Sequence, residues 1–124
     1  MDNPPKVLVV DDDPAILEIC SDLLESEGYA VVVASNGQQA LQQARTTHPA
    51  VVLMDIMMPV LDGMATCRAM KDDAALAGIP VVLMSARTNL NRENRDLACA
   101  DALVAKPFDI DHLLHTIHGL LAAS

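Results

Sequence analysis

Five residues of this chain could do chemistry together: Asp11, Asp12, Asp55, Ser85 and Lys106. Each ends or directly follows a short apolar run: Val7 to Val10, Val51 to Met54, Val81 to Met84, and Ala102 to Ala105. Three carboxylates gathered at one place repel, so some stay protonated unless a cation neutralises them. Hard carboxylate oxygens suit Mg2+, which keeps waters and takes only one or two protein carboxylates. That leaves a third carboxylate as a nucleophile. A carboxylate with a metal, a hydroxyl and an ammonium around it suits phosphoryl transfer, where catalysis is mostly positioning and charge neutralisation. Ser85 would donate a hydrogen bond to one phosphoryl oxygen, and Lys106 would pair with another. Asp55 is the working candidate, because a lone carboxylate closing a buried run is costly without a partner. Taken alone, Asp55 reads either as a turn-initiating residue or as a reactive group. Polar groups delivered by four strand ends to one edge favour the second reading.

The elements that must position these groups are legible as an alternation. Lys6 to Val10, Ala30 to Ala34, Val51 to Asp55, Pro80 to Met84 and Ala102 to Ala105 are apolar, β-branched runs bounded by turn residues, which predicts five strands. Between them lie helical patterns. Asp13 caps a helix with Pro14 in its first turn, and Ile16, Leu17, Cys20, Leu23 and Leu24 recur at helical spacing up to the stop at Gly28. Ser35-Asn36-Gly37 opens a second helix with a Gln-rich outer face, which His48-Pro49 ends. A third helix is expected from about Met64 to Lys71. Thr88 to Leu97 must be a fourth, although three Asn lower its propensity and few apolar positions anchor it. Asp109 caps a last helix through Ile110, Leu113, Leu114, Ile117, Leu120 and Leu121. Apolar strands alternating with amphipathic helices predict an α/β fold, a parallel sheet covered on both faces, with its site outside the carboxyl ends of the strands.

The totals set bounds. A chain of 124 residues is one domain of ordinary size, with residues 1–5 a flexible lead-in. At 52% hydrophobic and with Tyr29 and Phe108 as its only aromatics, its core must be aliphatic and methionine-based. A net charge of −9 argues against direct nucleic-acid or anionic-membrane binding, and for a basic partner or a cation site. Three cysteines without a C-x-x-C spacing suggest a reducing compartment. No signal peptide and no membrane-length apolar run are present, so the expected location is the cytoplasm.

Val9-Val10-Asp11-Asp12-Asp13, Leu53 to Pro59 with Asp62-Gly63, Met84-Ser85-Ala86 and Lys106-Pro107-Phe108 together resemble the receiver domain of two-component response regulators. The resemblance covers essentially the whole chain. It implies a flavodoxin-like doubly wound (βα)5 fold with strand order 2-1-3-4-5. Asp55 would be the phospho-acceptor, with Asp12, Asp55 and the Met57 carbonyl on Mg2+ and Asp11 acting through a metal-bound water. Ser85 and Lys106 would hold the phosphoryl group, and the Lys106–Pro107 bond would be cis. The donor would be a phospho-histidine on a histidine kinase or a histidine phosphotransfer protein. Output would be phosphorylation-dependent contact with a downstream protein effector, on the face formed by the fourth helix, fifth strand and fifth helix. The protein would catalyse its own phosphorylation and dephosphorylation but turn over no metabolite. A stand-alone receiver with no output domain is expected; the alternatives are a piece of a hybrid kinase or longer regulator, and a phosphorylation-independent interaction module. A haloacid dehalogenase type phosphatase would need an acid two residues after Asp55, where Met57 stands.

Two positions depart from the family pattern. Leu103 occupies the switch position usually held by an aromatic three residues before the lysine, and Cys99 replaces a common glycine. Signal transmission would then run through a packing or loop change led by Ser85 and the helix after it. Met57 and Arg87, two positions after Asp55 and Ser85, would flank the phosphoryl group and tune it, unless Arg87 is simply solvated. Arg87, Arg92 and Arg95 form a basic cluster that reads as a solvated helix face or a partner surface. His112, His115 and His118 read as a solvated stripe, since nothing completes a metal-ligand set. Met54, Met57, Met58 and Met64 read as core and loop packing.

Overall fold

In register, each strand end in the centre of the sheet carries one site residue. The computed structural model describes residues 4–56, 63–85, 99–106 and 109–123. Over these the chain forms β1 (Lys6–Val10), α1 (Pro14–Ser26), β2 (Ala30–Ala34), α2 (Gly37–Thr47), β3 (Val51–Asp55), α3 (Gly63–Asp72), β4 (Val81–Ser85), β5 (Ala102–Ala105) and α4 (Ile110–Ala123). The helix expected over Thr88 to Leu97 lies outside the described residues. The strands make one sheet in the order β2-β1-β3-β4-β5, every pair parallel. Val10 lies level with Met54, Asp55 with Met84, and Ser85 with Ala105. Asp11, Asp55, Ser85 and Lys106 therefore reach the same edge. The chain reverses its direction of winding between β1 and β3, and there the crossovers on either side diverge to leave a crevice.

Side-chain alternation sorts the core into two layers. Val7, Val9, Val51, Leu53, Val82, Met84 and Val104 face Cys20 and Leu24 of α1 and Leu113 and Ile117 of α4. Leu8, Val10, Val52, Met54, Val81 and Leu83 face Ala40 and Ala44 of α2 and Cys67 and Met70 of α3. The same parity continues past the strand ends. It puts Asp11, Asp55 and Lys106 on the α1/α4 side. β3 and β4 are buried throughout. β2 is not: Val31 and Val32 are partly buried and Val33 is exposed, because an edge strand has a neighbour on one side only. Coverage on both faces is thus complete in the centre of the sheet and partial at its edges.

The helix signals fall where the residues placed them. Asp13 Oδ1 accepts from Ala15 N at 3.0 Å, with Pro14 opening α1. Asn36 Oδ1 accepts from Gln39 N at 2.9 Å, while Gln39 Oε1 reaches back to Ser35 N and Oγ, a reciprocal cap. His48 ends α2 in the left-handed region at φ 47°, and Gly28 follows α1 at φ 91°. Asp109 Oδ1 accepts from His112 N at the start of α4. No helix among the described residues is long and apolar enough to cross a membrane.

Candidate functional site

One ammonium and three carboxylates meet at the edge where β1, β3 and β5 end. Asp11 is almost wholly buried; its Oδ1 accepts from Asp13 N at 2.9 Å and its Oδ2 accepts from Lys106 Nζ at 2.7 Å. Asp55 is 6% exposed, and its Oδ2 accepts from the same Lys106 Nζ at 3.2 Å. Asp12, the next residue after Asp11, is exposed at the mouth. Carboxylate oxygens of Asp11, Asp12 and Asp55 all lie within 4.8 Å of one another. Burial alone would lower the Lys106 ammonium below its ordinary range. The hydrogen bond to Asp11 and the charge of Asp11, then those of Asp55, outweigh it and raise the group instead.

Beneath the cluster lies Cys20 of α1, fully buried. Burial first, then the Asp11 charge, pushes its thiol up to about 11 against the pull of Lys106. It packs on the α1 face of the sheet, in the core layer with Leu24 and Val9.

Lys106 neutralises one of the three carboxylates. The formal balance left is minus two, spread over hard oxygen donors that open toward solvent through Asp12. That charge and donor set fit a small divalent cation such as Mg2+. The lysine was expected to hold the phosphoryl group. Its pairing with Asp11 as well was not foreseen, because it depends on how β5 and β1 register through two intervening strands.

Gly63 is a second contributor whose role was not legible beforehand. It is the first residue of α3, and its N donates to the Ile56 carbonyl at 3.0 Å. A Cβ there would lie 2.4 Å from the Asp55 carbonyl oxygen and 2.8 Å from Ile56 Cα. Both obstacles are backbone, so α3 can dock on the end of β3 only through a glycine. The Asp62-Gly63 pair was visible as a motif, but the collision exists only after docking.

Ser85 is fully buried at the end of β4, beside β5, and Lys106 N donates to its carbonyl at 2.8 Å. Leu103 is partly buried against the α2/α3 layer. Met57 and its carbonyl, Arg87, the Arg92 and Arg95 cluster, Met58 and the Lys106–Pro107 bond lie outside the described residues. His112, His115 and His118 are exposed. The His118 ring hydrogen-bonds through Nδ1 to the Tyr29 hydroxyl and lies 3.5 Å through Nε2 from Glu27. Met54 is fully buried and Met64 packs on the core, as expected of both.

The family model of the response regulator receiver domain matches residues 7–118. The chain is 35% identical over 113 residues to Protein PilG of Pseudomonas aeruginosa, covering 90% of this chain and 84% of that protein. It spans about half the length of other curated relatives it matches at 33% to 35% identity, two of them named as DNA-binding regulators. Among solved structures, the receiver domain of Francisella response regulator 1452 superposes with a TM-score of 0.87 at 32% identity, covering 96% of this chain and 98% of that one. The receiver domain of the sensor histidine kinase PA1611 from Pseudomonas aeruginosa, solved with a magnesium ion coordinated in its active site cleft, gives a TM-score of 0.87 at 25% identity over 96% of this chain and 98% of that one.

Proposed function

Because the chain belongs to the response regulator receiver domain family, we propose that it is a phospho-acceptor switch of a two-component or phosphorelay system, with Asp55 the residue modified. The observation that carries this reading is the Lys106 ammonium held between Asp11 and Asp55, with Asp12 beside them. An oxygen of the Asp55 carboxylate attacks the phosphorus of a phospho-histidine on a histidine kinase or phosphotransfer protein. A new P–O bond forms as the P–N bond breaks, and the imidazole leaves with the electron pair. Asp12, Asp55 and the Met57 carbonyl, with Asp11 through water, would hold Mg2+, which would supply charge neutralisation for the phosphoryl oxygens.

The protein's own groups supply the rest. Lys106 exchanges its contact with the Asp55 carboxylate for one with a phosphoryl oxygen, and its bond to Asp11 keeps the ammonium aimed at the site. The Ser85 hydroxyl donates to a second phosphoryl oxygen. Met57 and Arg87, two residues after Asp55 and Ser85 in the sequence, are the positions we assign to tuning how readily water reaches it. Hydrolysis of the acyl phosphate resets the switch, so the chain modifies itself without turning over a metabolite. Output is a phosphorylation-dependent contact with a protein effector, through a surface that includes β5 and α4. Packing around Leu103, which lies level with Leu83 of β4, takes the place of an aromatic switch. The reading puts the domain in the cytoplasm, with which three cysteines lacking a C-x-x-C spacing are consistent.

Incubation with acetyl phosphate and Mg2+ tests this by intact mass. Wild type should gain one phosphoryl group, and Asp55→Ala or chelated wild type should gain none. No gain on wild type, or an equal gain on Asp55→Ala, would leave a phosphorylation-independent module; sustained release of phosphate from a generic phosphomonoester would point to a phosphatase.

A further inference from the structure

α3 presents Cys67 and, one turn later, Lys71 to the segment that enters β5. Lys71 Nζ donates to Asp101 Oδ2 at 3.0 Å and to the Ile79 carbonyl at 3.1 Å. The same Asp101 oxygen accepts from Val81 N at 2.8 Å, and Asp101 N donates to the Val81 carbonyl at 2.8 Å. Asp101 is thereby fastened both to α3 and to the amino end of β4. Cys67 lies one turn back along α3 from Lys71, and Cys99 lies two residues before Asp101 in the turn that precedes β5. The two thiols are in hydrogen-bonding contact and pack into the same core layer. Cys67 is fully buried, whereas Cys99 is partly exposed. Phosphoryl transfer uses neither.

We propose that Cys67 and Cys99 form an oxidant-responsive pair that closes to an intramolecular disulfide on reaction with a small-molecule disulfide. Cys99, the reachable thiol, loses its proton to solvent and attacks the small disulfide. A mixed disulfide forms on Cys99 and one small thiol departs. Cys67 then loses its proton and attacks the Cys99 sulfur. The protein disulfide forms and the second small thiol leaves, so two protein thiols are oxidised and one small disulfide is reduced to two thiols. The bridge joins α3, whose first residue is lodged against the Asp55 backbone, to the entrance of β5, which delivers Lys106. It cross-links two carriers of the phosphorylation site and stands independently of the proposed phosphoryl chemistry.

Burial, then the hydrogen bond with Cys99, holds the Cys67 thiol above the ordinary range. Only the thiolate attacks, so the second step is slow at neutral pH and quickens about tenfold per pH unit. Cys20 belongs to the opposite core layer and serves as an internal control.

The test is peptide mapping of the native 124-residue chain after incubation with oxidised glutathione at about pH 8.5, near the ordinary thiol range. Alkylation and digestion without reductant follow. The expected result is a Cys67–Cys99 linked peptide that dithiothreitol reverses, forms faster as pH rises, and persists in Cys20→Ala. Cys67→Ser should instead retain glutathione on Cys99. Should that variant fail to fold, the wild-type map decides alone. Glutathione retained on Cys99 of wild type, a disulfide-linked dimer, a bridge to Cys20, or a Cys67–Cys99 link formed only in urea would overturn the proposal.

Discussion

Lys106 touches Asp11 at 2.7 Å and Asp55 at 3.2 Å, with 19% of its side chain exposed. Removing it strands the buried Asp11 carboxylate without its charged partner. Lys106→Met should therefore destabilise the fold by about 3 kcal/mol in urea titrations without divalent cation, the lower end for breaking a buried pair because the lysine is partly wet. The pH dependence has a definite sign. The folded ammonium is raised above its unfolded value. Its contribution is thus full below about pH 10.4, the unfolded value, and is lost as pH rises through the folded one. The urea midpoints of wild type and Lys106→Met should converge above that pH and stay apart below it. At this scale the sequence showed residue types and strand-end positions, enough to nominate Asp11, Asp12, Asp55, Ser85 and Lys106. It could not show that one lysine binds two of the carboxylates at rest, because that follows from register across β1, β3, β4 and β5.

Gly63 and Gly119 make a controlled pair at the scale of elements. Both are in helices, Gly63 at the start of α3 and Gly119 inside α4, and they differ in what surrounds a Cβ. At Gly63 the added carbon meets the Asp55 carbonyl oxygen at 2.4 Å, and at Gly119 it meets nothing within 4 Å. Gly63→Ala must lift α3 off β3 or shift the Asp55 backbone, which should cost about 1–3 kcal/mol and slow phosphoryl uptake together. Gly119→Ala should stabilise by about 0.4–1 kcal/mol, by restricting the unfolded chain, and leave uptake unchanged. Thermal melts and a phosphorylation time course read both. The elements themselves were largely legible. The caps at Asp13, Asn36 and Asp109 have local mechanisms, and apolar runs mark the strands whatever surrounds them. The demand for glycine at position 63 was not, since it arises from two elements distant in their own local patterns.

Over the whole molecule, the alternation of apolar strands and amphipathic helices was sufficient for the parallel sheet, whereas its order β2-β1-β3-β4-β5 was legible only through the resemblance to receiver domains. What it missed was the edge: β2 reads as apolar as β3 but leaves Val33 46% exposed. The chain carries −9 overall, and a formal −2 of it lies where three carboxylates face one ammonium. A divalent cation that binds only the folded state should stabilise it by about 2.7 kcal/mol at a hundredfold excess over Kd. Melting midpoints should rise with Mg2+, not with NaCl of equal ionic strength, and the rise should vanish in Asp12→Asn. The proposed switch turns on which atom receives the phosphoryl group. Acetyl phosphate labelling followed by borohydride reduction converts a phosphorylated aspartate to homoserine, which tandem mass spectrometry locates in the digested chain. The predicted result is homoserine at position 55 alone, absent without Mg2+; homoserine at Asp11 or Asp12, or label on a histidine or serine with Asp55 intact, would contradict it.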